Sequence, residues 1–211
     1  MEKIIPAILT TDIADLQHKL EKIRGFADWV QIDIMDGKFV NNISIVLEEI
    51  SQIEISKDFS LEAHLMVLNP KTYFLQCQKN GIKRVIFHIE AADNVRDVLS
   101  EAAKFDFQIG IALNPKTPVQ KITPYADSMD VVVLMSVNPG LQGQKFIPET
   151  LDKIRELKKL VPHMKIEVDG GINLDNIKKV SDTGGDYLVV GSGLFNADNI
   201  QERFKELQSK I

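Results

Sequence analysis

The sequence predicts an α/β fold, most simply a closed (β/α)8 barrel, and three observations support this prediction. Eight short runs of apolar and β-branched residues recur along the chain. Amphipathic segments with a helical period separate these runs, and strands that alternate with helices form parallel βαβ units. The length of 211 residues suits eight short units in one compact chain. Such units close into a TIM barrel, and an open doubly wound sheet is the alternative.

The individual elements follow from the same patterns. Helical periodicity is clearest in residues 12–25, which end in a glycine, in residues 148–160, which open with proline and glutamate, and in residues 196–211. Isoleucine is so frequent in residues 41–56 that this segment fits a strand as well as a helix. The eight predicted strands cover residues 4–9, 29–35, 61–67, 84–89, 107–113, 130–135, 165–170 and 187–191.

Composition and charge exclude several classes of protein. No apolar run approaches the ~18 residues of a membrane span, and the N-terminus lacks the features of a targeting segment. Charges of both signs are mixed along the chain, with a net charge of −5 and no basic block that would bind nucleic acid. Cys77 is the single cysteine, which excludes an internal disulfide and a cysteine-based zinc site and predicts a packing role. We expect one cytoplasmic domain, residues 1–211, with a small-molecule partner, no nucleic-acid or membrane partner, and a homo-oligomeric assembly.

Strand parity gathers polar side chains on the lumen side of the predicted barrel. Side chains alternate across a strand, so Gln31 and Asp33 share one side of their strand while the isoleucines share the other. The same rule places His64 and Asp169 in the lumen, near the carboxyl ends of strands, where barrels carry active sites. Because a buried charge must be paired or metal-bound, Asp33, His64 and Asp169 predict a metal site or two carboxylates with different pKa values. His88, also on the lumen side, is predicted to support the structure or the site.

Glycine-rich turns after the last three strands predict a phosphate site. They are "VNPGLQGQKF" at residues 137–146, "DGGIN" at residues 169–173 and "GSGLF" at residues 191–195. Glycine lets backbone N–H groups approach an anion, and a helix N-terminus adds a favourable dipole. Barrels commonly bind phosphate in the loops after strands seven and eight. The sequence therefore predicts a (β/α)8 barrel of the phosphate-binding type.

Eight stretches, taken in order, resemble a known family. They are "PAIL", "DIMDGKFV", "HLMV", "HIEAA", "ALNPKTP", "LMSVNPG" followed by "GQKF", "IEVDGGI" and "VVGSGLF". In their order and spacing the chain resembles the ribulose-phosphate 3-epimerases over nearly its whole length. The resemblance implies an isomerase with a phosphate-binding barrel, which inverts C3 of D-ribulose 5-phosphate to give D-xylulose 5-phosphate.

The resemblance also implies roles for residues of this chain. Asp33 and Asp169 match two acid–base aspartates, and with His64 they match the ligands of a divalent metal such as zinc, manganese, iron or magnesium. In the implied reaction one carboxylate removes the C3 proton, the other returns a proton to the opposite face, and the metal stabilises the enediolate. The residues expected to contact the substrate or its phosphate are Ala7, Met35, Met66, Met135, Gly140, Gly143, Gly170, Gly171, Gly191 and Ser192.

Four positions depart from the pattern of the family. Gln31 stands where the family has a metal-binding histidine, and an amide oxygen suits manganese or magnesium better than zinc. Ala7 replaces a serine near the substrate, Asn41 replaces a proline, and Gln142 replaces a glycine of the loop over the phosphate site. With Gln31 as the fourth metal ligand, we expect metal binding to be weak or absent.

These departures keep two alternatives open. One is a relative with altered metal use or an altered substrate, such as a D-allulose-6-phosphate 3-epimerase, which the segment "VGSGLFNADNI" resembles. The other is a barrel that binds a sugar phosphate without turning it over. Phosphate-barrel decarboxylases and aldolases carry an Asp-x-Lys-x-x-Asp motif on one strand, and they are disfavoured because "DIMDGK" has no lysine at its third position.

Overall fold

The computed structural model describes residues 3–211 and forms a closed barrel of eight parallel strands that pair in sequence order. Strand β8 pairs with strand β1, which completes the circle and rules out the open sheet. The predicted barrel is therefore confirmed, while residues 1 and 2 of the predicted domain 1–211 lie outside the described residues. The strands are β1 Ile4–Ile8, β2 Trp29–Met35, β3 Ser60–Met66, β4 Arg84–His88, β5 Gln108–Leu113, β6 Val131–Met135, β7 Lys165–Asp169 and β8 Tyr187–Val190.

Helices cover the outside of the barrel and bury its apolar outer side chains. Helix α1 is typical, since the side chain of Asp12 caps it by accepting the Ala14 N–H, and Leu16, Leu20 and Ile23 are buried on one stripe. The α-helices of residues 3–211 are α1 Ile13–Ile23, α2 Leu47–Ile50, α3 Phe74–Lys79, α4 Val95–Ala102, α5 Thr150–Leu160, α6 Ile177–Thr183, α7 Ser192–Phe195 and α8 Ile200–Gln208.

Three connections differ from a uniform strand–helix repeat. The ambiguous residues 41–56 contain the short helix α2, followed by a 3-10 helix at Glu54–Asp58, and Ile45, Ile50 and Ile53 pack into the core, whereas Ile43 is exposed. Between β5 and β6 the described chain forms only the 3-10 helices Val119–Lys121 and Thr123–Ser128, where prolines interrupt the helical backbone. After β8 the short helix α7 comes first, and the helix predicted over residues 196–211 is α8, which begins after Asn199 because the Asn199 side chain caps it.

An ion cluster fills the lumen one layer below the mouth. Arg84 Nη1 lies 2.6 Å from Glu62 Oε2 and 2.9 Å from Glu167 Oε2, and all three side chains are buried. The guanidinium also lies over the rings of Trp29 and Tyr187, at 4.6 and 5.1 Å from their centroids. Burial raises the pKa of both carboxyls, and the charge of Glu62 raises that of Glu167 further. This buried layer fills the lumen below the side chains at the carboxyl ends of the strands.

Candidate active site

Three titratable side chains meet at the carboxyl end of the barrel. Asp33 and His64 are register partners on β2 and β3, and Asp169 is the last residue of β7. His64 Nδ1 lies 3.3 Å from Asp33 Oδ1 and 3.2 Å from Asp169 Oδ2. His64 is buried at 1% side-chain exposure, whereas the two aspartates retain 13% and 14% and are open to the mouth. The structure thus places the two predicted acid–base carboxylates side by side, with one imidazole between them.

Electrostatics within this cluster favour a charged imidazole. Burial alone lowers the pKa of His64, but hydrogen bonds and charges from Asp169 and Asp33 outweigh it and raise the pKa to about 10. Burial raises the pKa of Asp33, and the neighbouring Asp169 carboxylate acts in the same direction. A protonated His64 can therefore donate its Nδ1–H to both carboxylates at once.

Gln31 lies beneath this cluster and joins its members. The Gln31 amide donates to Asp33 Oδ1 at 2.8 Å and to Asp169 Oδ2 at 3.1 Å, and its nitrogen is 3.3 Å from His64 Nδ1. The side chain is fully buried, and its oxygen has no hydrogen-bond partner within the described part of the chain. The glutamine thus points its N–H groups, and not its carbonyl, at the three titratable groups.

His88 supports the other edge of the His64 ring. The two Nε2 atoms are 2.9 Å apart, so one ring must donate and the other accept. Burial lowers the pKa of His88 to about 4, which makes neutral His88 the acceptor and His64 the donor. His88 Nδ1 then faces Glu90 Oε2 at 3.5 Å, and Glu90 in turn accepts hydrogen bonds from Thr117 Oγ1 and from the Asn114 N–H. This chain of contacts fixes the orientation of His64.

Apolar side chains form the wall of the cavity above the titratable groups. Met35, Met66 and Met135 stand at the ends of β2, β3 and β6 and are nearly fully buried. Ala7 also lines the cavity, and it offers a methyl group where the resembling family has a serine hydroxyl. A small polar ligand would therefore contact carboxylates on one side and thioether groups on the other.

The turns after β7 and β8 bring glycine backbone close to the cavity. At Gly171, with φ +64°, an added Cβ would lie 2.5 Å from the Phe146 nitrogen, and at Gly193 it would lie 2.3 Å from the Ile172 oxygen. Within residues 3–211, the N–H groups of Gly171, Ser192 and Gly193 donate no backbone hydrogen bond. These donors are available to a ligand, and Gly171 and Ser192 also line the cavity; successive free backbone N–H groups are typical of anion sites.

A loop of residues 137–146 lies along the mouth. Asn42 Nδ2 donates to the Gly140 carbonyl at 3.1 Å, and Gln142 Nε2 reaches across to the Leu9 carbonyl at 3.3 Å. Gln144 Nε2 donates to two carbonyls of the loop itself. Leu141 at the tip is 68% exposed. The departure at Gln142 therefore lies in a contact that ties this loop to the end of β1.

The predicted residues converge on one cavity, with Gln31 just beneath it. Leu9 and Val189 in the wall were not predicted from the sequence, while Val137 and Gln144 were predicted only as part of the turn at residues 137–146. Strand parity could have found Val189, which alternates with Gly191. The residues named from the sequence that line the cavity are Ala7, Asp33, Met35, His64, Met66, Met135, Gly140, Gln142, Gly143, Asp169, Gly170, Gly171, Gly191 and Ser192.

Asp33, His64 and Asp169 also form a triad of potential metal ligands. One donor atom from each lies within 4.8 Å of the others. Two carboxylate oxygens and an imidazole nitrogen are a donor set suited to a divalent cation. The hydrogen bond from His64 Nε2–H to His88 leaves Nδ1 as the atom that would bind the ion. The residues present thus fit a divalent cation, with Gln31 as the one neighbour that presents donors instead of a ligand atom.

Comparison with known proteins places the chain in a family. The sequence model of the Ribulose-phosphate 3 epimerase family matches residues 3–195. The chain belongs to the ribulose-phosphate 3-epimerase family. Ribulose-phosphate 3-epimerase of Schizosaccharomyces pombe is 33% identical over 213 residues, covering 99% of this chain and 93% of the relative. Ribulose-phosphate 3-epimerase of Bacillus subtilis is 35% identical and covers 99% of both chains.

Solved structures agree on the fold. A mutant tryptophan synthase α-subunit from Pyrococcus furiosus superimposes with a TM-score of 0.74 at 18% identity, covering 98% of this chain and 96% of that chain. At this level of identity the likeness concerns the barrel alone. The expected fold class and family are therefore confirmed.

Within residues 3–211, no helix has the length and apolar character needed to cross a membrane.

Proposed function

We propose that the protein is a ketose-phosphate 3-epimerase that interconverts D-ribulose 5-phosphate and D-xylulose 5-phosphate. The observation that supports this most is the pair Asp33 and Asp169, both open to one cavity, in a chain of this isomerase family. Inversion of a carbon next to a carbonyl needs a base on one face and an acid on the other. Two carboxyl groups in different protonation states supply both.

The proposed reaction uses the chain's own residues for each proton transfer. In one direction Asp169 removes the C3 proton, which the C2 carbonyl acidifies, and protonated Asp33 donates a proton to the opposite face of the enediolate. The raised pKa of Asp33 favours it as the protonated partner. The reverse reaction exchanges the roles, and the methionine wall excludes water from the intermediate.

A divalent cation would be held by Asp33, His64 and Asp169, and when bound it would act as a Lewis acid on the oxygens of the enediolate. In this chain the fourth neighbour is the Gln31 amide, which points its N–H groups at the site and would have to turn over to offer its oxygen in place of an imidazole nitrogen. We therefore expect weaker zinc binding than a histidine at this position would give, with manganese or magnesium preferred.

The substrate phosphate is proposed to bind at the turns after β7 and β8. The free N–H groups of Gly171, Ser192 and Gly193 support this placement, and residues 169–173 and 191–195 contain no lysine or arginine. Binding would rest on backbone donors, as in other anion sites of this kind. The loop at residues 137–146 would cover the phosphate from above.

Proton exchange at C3 tests the proposal directly. The protein is incubated in deuterated water with D-ribulose 5-phosphate, with and without added manganese or zinc, and deuterium at C3 is followed by NMR. Asp33→Asn and Asp169→Asn should each lower the rate by ~10²–10⁴-fold, while the exposed control Asp152→Asn, whose partner is Arg155, should leave it unchanged. A parallel sample with D-allulose 6-phosphate measures activity on a six-carbon substrate. Failure to exchange C3 of either sugar, with or without metal, would contradict the proposed function.

A further inference from the structure

The amide nitrogen of Gln31 occupies a central position among the three potential metal ligands. It lies 2.8 Å from Asp33 Oδ1, 3.1 Å from Asp169 Oδ2 and 3.3 Å from His64 Nδ1, the atoms that would face a bound ion. The side chain has no exposed surface, so these contacts cannot be exchanged for contacts with solvent. One uncharged group thus contacts every member of the cluster.

The orientation of this amide is decided by the two carboxylates. Its two N–H groups match two carboxylate oxygens, one for each aspartate. The amide oxygen is left buried without a hydrogen-bond partner among the described residues, an arrangement that is normally unfavourable. Turning the amide over would bring the oxygen against two carboxylate oxygens, with only the Nδ1–H of protonated His64 as a nearby donor to offset this. A divalent cation among the three groups would make that orientation favourable.

We propose that Gln31 replaces a cation in this site: its two N–H groups hold Asp33 and Asp169 together, so that the acid–base pair is assembled without a metal. The inference rests on the proposed epimerase function, which it deepens by naming the group that organises the two carboxylates. A divalent ion and the inward N–H groups exclude each other. An ion entering the triad must therefore displace the amide or turn its oxygen inward, which weakens ion binding.

Two substitutions separate this role from that of a metal ligand. Gln31→Glu keeps the shape of the side chain but replaces the donating NH2 group by an acceptor oxygen. This change should make the site dependent on a cation. Gln31→Leu can neither donate nor bind an ion. If the wild-type amide opposes the ion, the leucine variant should bind manganese at least as tightly as the wild type. If the amide oxygen were instead a ligand, that variant should bind manganese more weakly.

The experiment compares proteins freed of metal with a chelator. Manganese affinity is measured by calorimetric titration, thermal unfolding is recorded with and without manganese, and C3 exchange is followed on the same samples. We expect metal-free wild type to exchange C3, Gln31→Leu to lose at least about tenfold in the metal-free rate, and Gln31→Glu to lose about 100-fold and recover with manganese. Gln31→Glu should also bind manganese at least about tenfold more tightly than wild type. Gln52→Glu, which adds the same charge at an exposed position, should match wild type in all measurements.

The outcomes are distinguishable from those that test the function itself. Wild type that exchanges C3 only when loaded with metal, or Gln31→Leu that binds manganese clearly more weakly than wild type, would overturn the role of Gln31 while leaving the epimerase intact. If no sample turned over substrate, the order of manganese affinities would still decide the role of the amide. Should metal-free Gln31→Glu not fold, a large rise in its melting temperature with manganese would support the proposal, and no response to manganese would contradict it.

Discussion

The buried cluster of Arg84, Glu62 and Glu167 contains one carboxyl group more than Arg84 needs for charge balance. Two carboxyls lie within 3 Å of one guanidinium, but only one negative charge is needed to balance it. Burial and the charge of Glu62 raise the pKa of Glu167 well above its ordinary value, so Glu167 retains a proton and Glu62 carries the charge. Either carboxyl alone should therefore be able to neutralise Arg84.

The expected energies follow from this charge balance. Glu167→Gln replaces a neutral acid by an amide of the same shape, and in Glu62→Gln the remaining Glu167 can lose its proton and take over the pairing. Each single change should lower the free energy of unfolding by no more than about 1 kcal/mol. The double variant removes both carboxylates that contact the buried Arg84, which should cost about 3–5 kcal/mol. The two changes should thus be strongly non-additive, with a coupling of at least about 1 kcal/mol.

Urea unfolding of the wild type, both single variants and the double variant gives this coupling from one thermodynamic cycle. For a chain of 211 residues the double variant should also melt roughly 6–20 °C below wild type, at about 2–4 °C per kcal/mol. Additive single effects would refute the reasoning, because they would mean that both carboxylates are charged and independently required. A single variant that costs as much as the double would refute it as well.

Three further predictions concern the phosphate turns, acid stability and the cysteine. Gly193→Ala would place a Cβ 2.3 Å from the Ile172 oxygen, so it should push apart the turns after β7 and β8. Binding of inorganic phosphate, measured by calorimetry, should weaken ~10-fold or more. Unchanged affinity would show that this turn is not part of the anion site. Burial lowers the pKa of His88 from 6.5 to about 4, so the stability that neutral His88 contributes is complete above pH 6.5 and is lost as the pH falls towards 4. In urea unfolding over this pH range, the His88→Gln variant should lose less stability than wild type. Equal losses would contradict this. Burial raises the pKa of Cys77 to about 12, so a thiol reagent should modify it rapidly only after denaturation, and rapid labelling of the native protein would contradict this.

The features that could be predicted from the sequence were those set by local periodicity. Period-two alternation assigned Asp33, His64 and Asp169 to the lumen, because the other face of each strand is continuously apolar. The barrel closure then brought them together, since the carboxyl ends of all eight strands share one mouth. Each strand boundary agreed within one residue for the same reason.

Other features depend on contacts between distant strands and could not be predicted. The sequence placed Gln31 beside Asp33, but its hydrogen bond to Asp169 crosses 138 positions of the chain and depends on the barrel register. Likewise, Glu62 and Arg84 are register partners only because β3 and β4 pair with a particular offset. The isoleucine-rich residues 41–56 fit two structures, and burial of Ile45, Ile50 and Ile53 in the core, not periodicity, favours the observed helical turns.

The lumen holds two polar layers, a lower one of Arg84, Glu62 and Glu167 and an upper one of His64, Asp33 and Asp169, and they differ in their access to solvent. In each layer two carboxyls share one cationic partner, which leaves one surplus negative charge. In the lower layer Glu62 and Glu167 have no exposed surface, and burial raises the pKa of both carboxyls, which favours retention of one proton that neutralises the cluster. In the upper layer Asp33 and Asp169 keep 13% and 14% exposure, so the same surplus can be met by a proton that a bound substrate delivers or removes. Access to the mouth, and not a different set of charges, turns the upper pair into an acid and a base. The charge of Asp169 also raises the pKa of Glu62 and Glu167. An ionised Asp169 in the upper layer therefore favours a proton on the carboxyl pair of the lower layer.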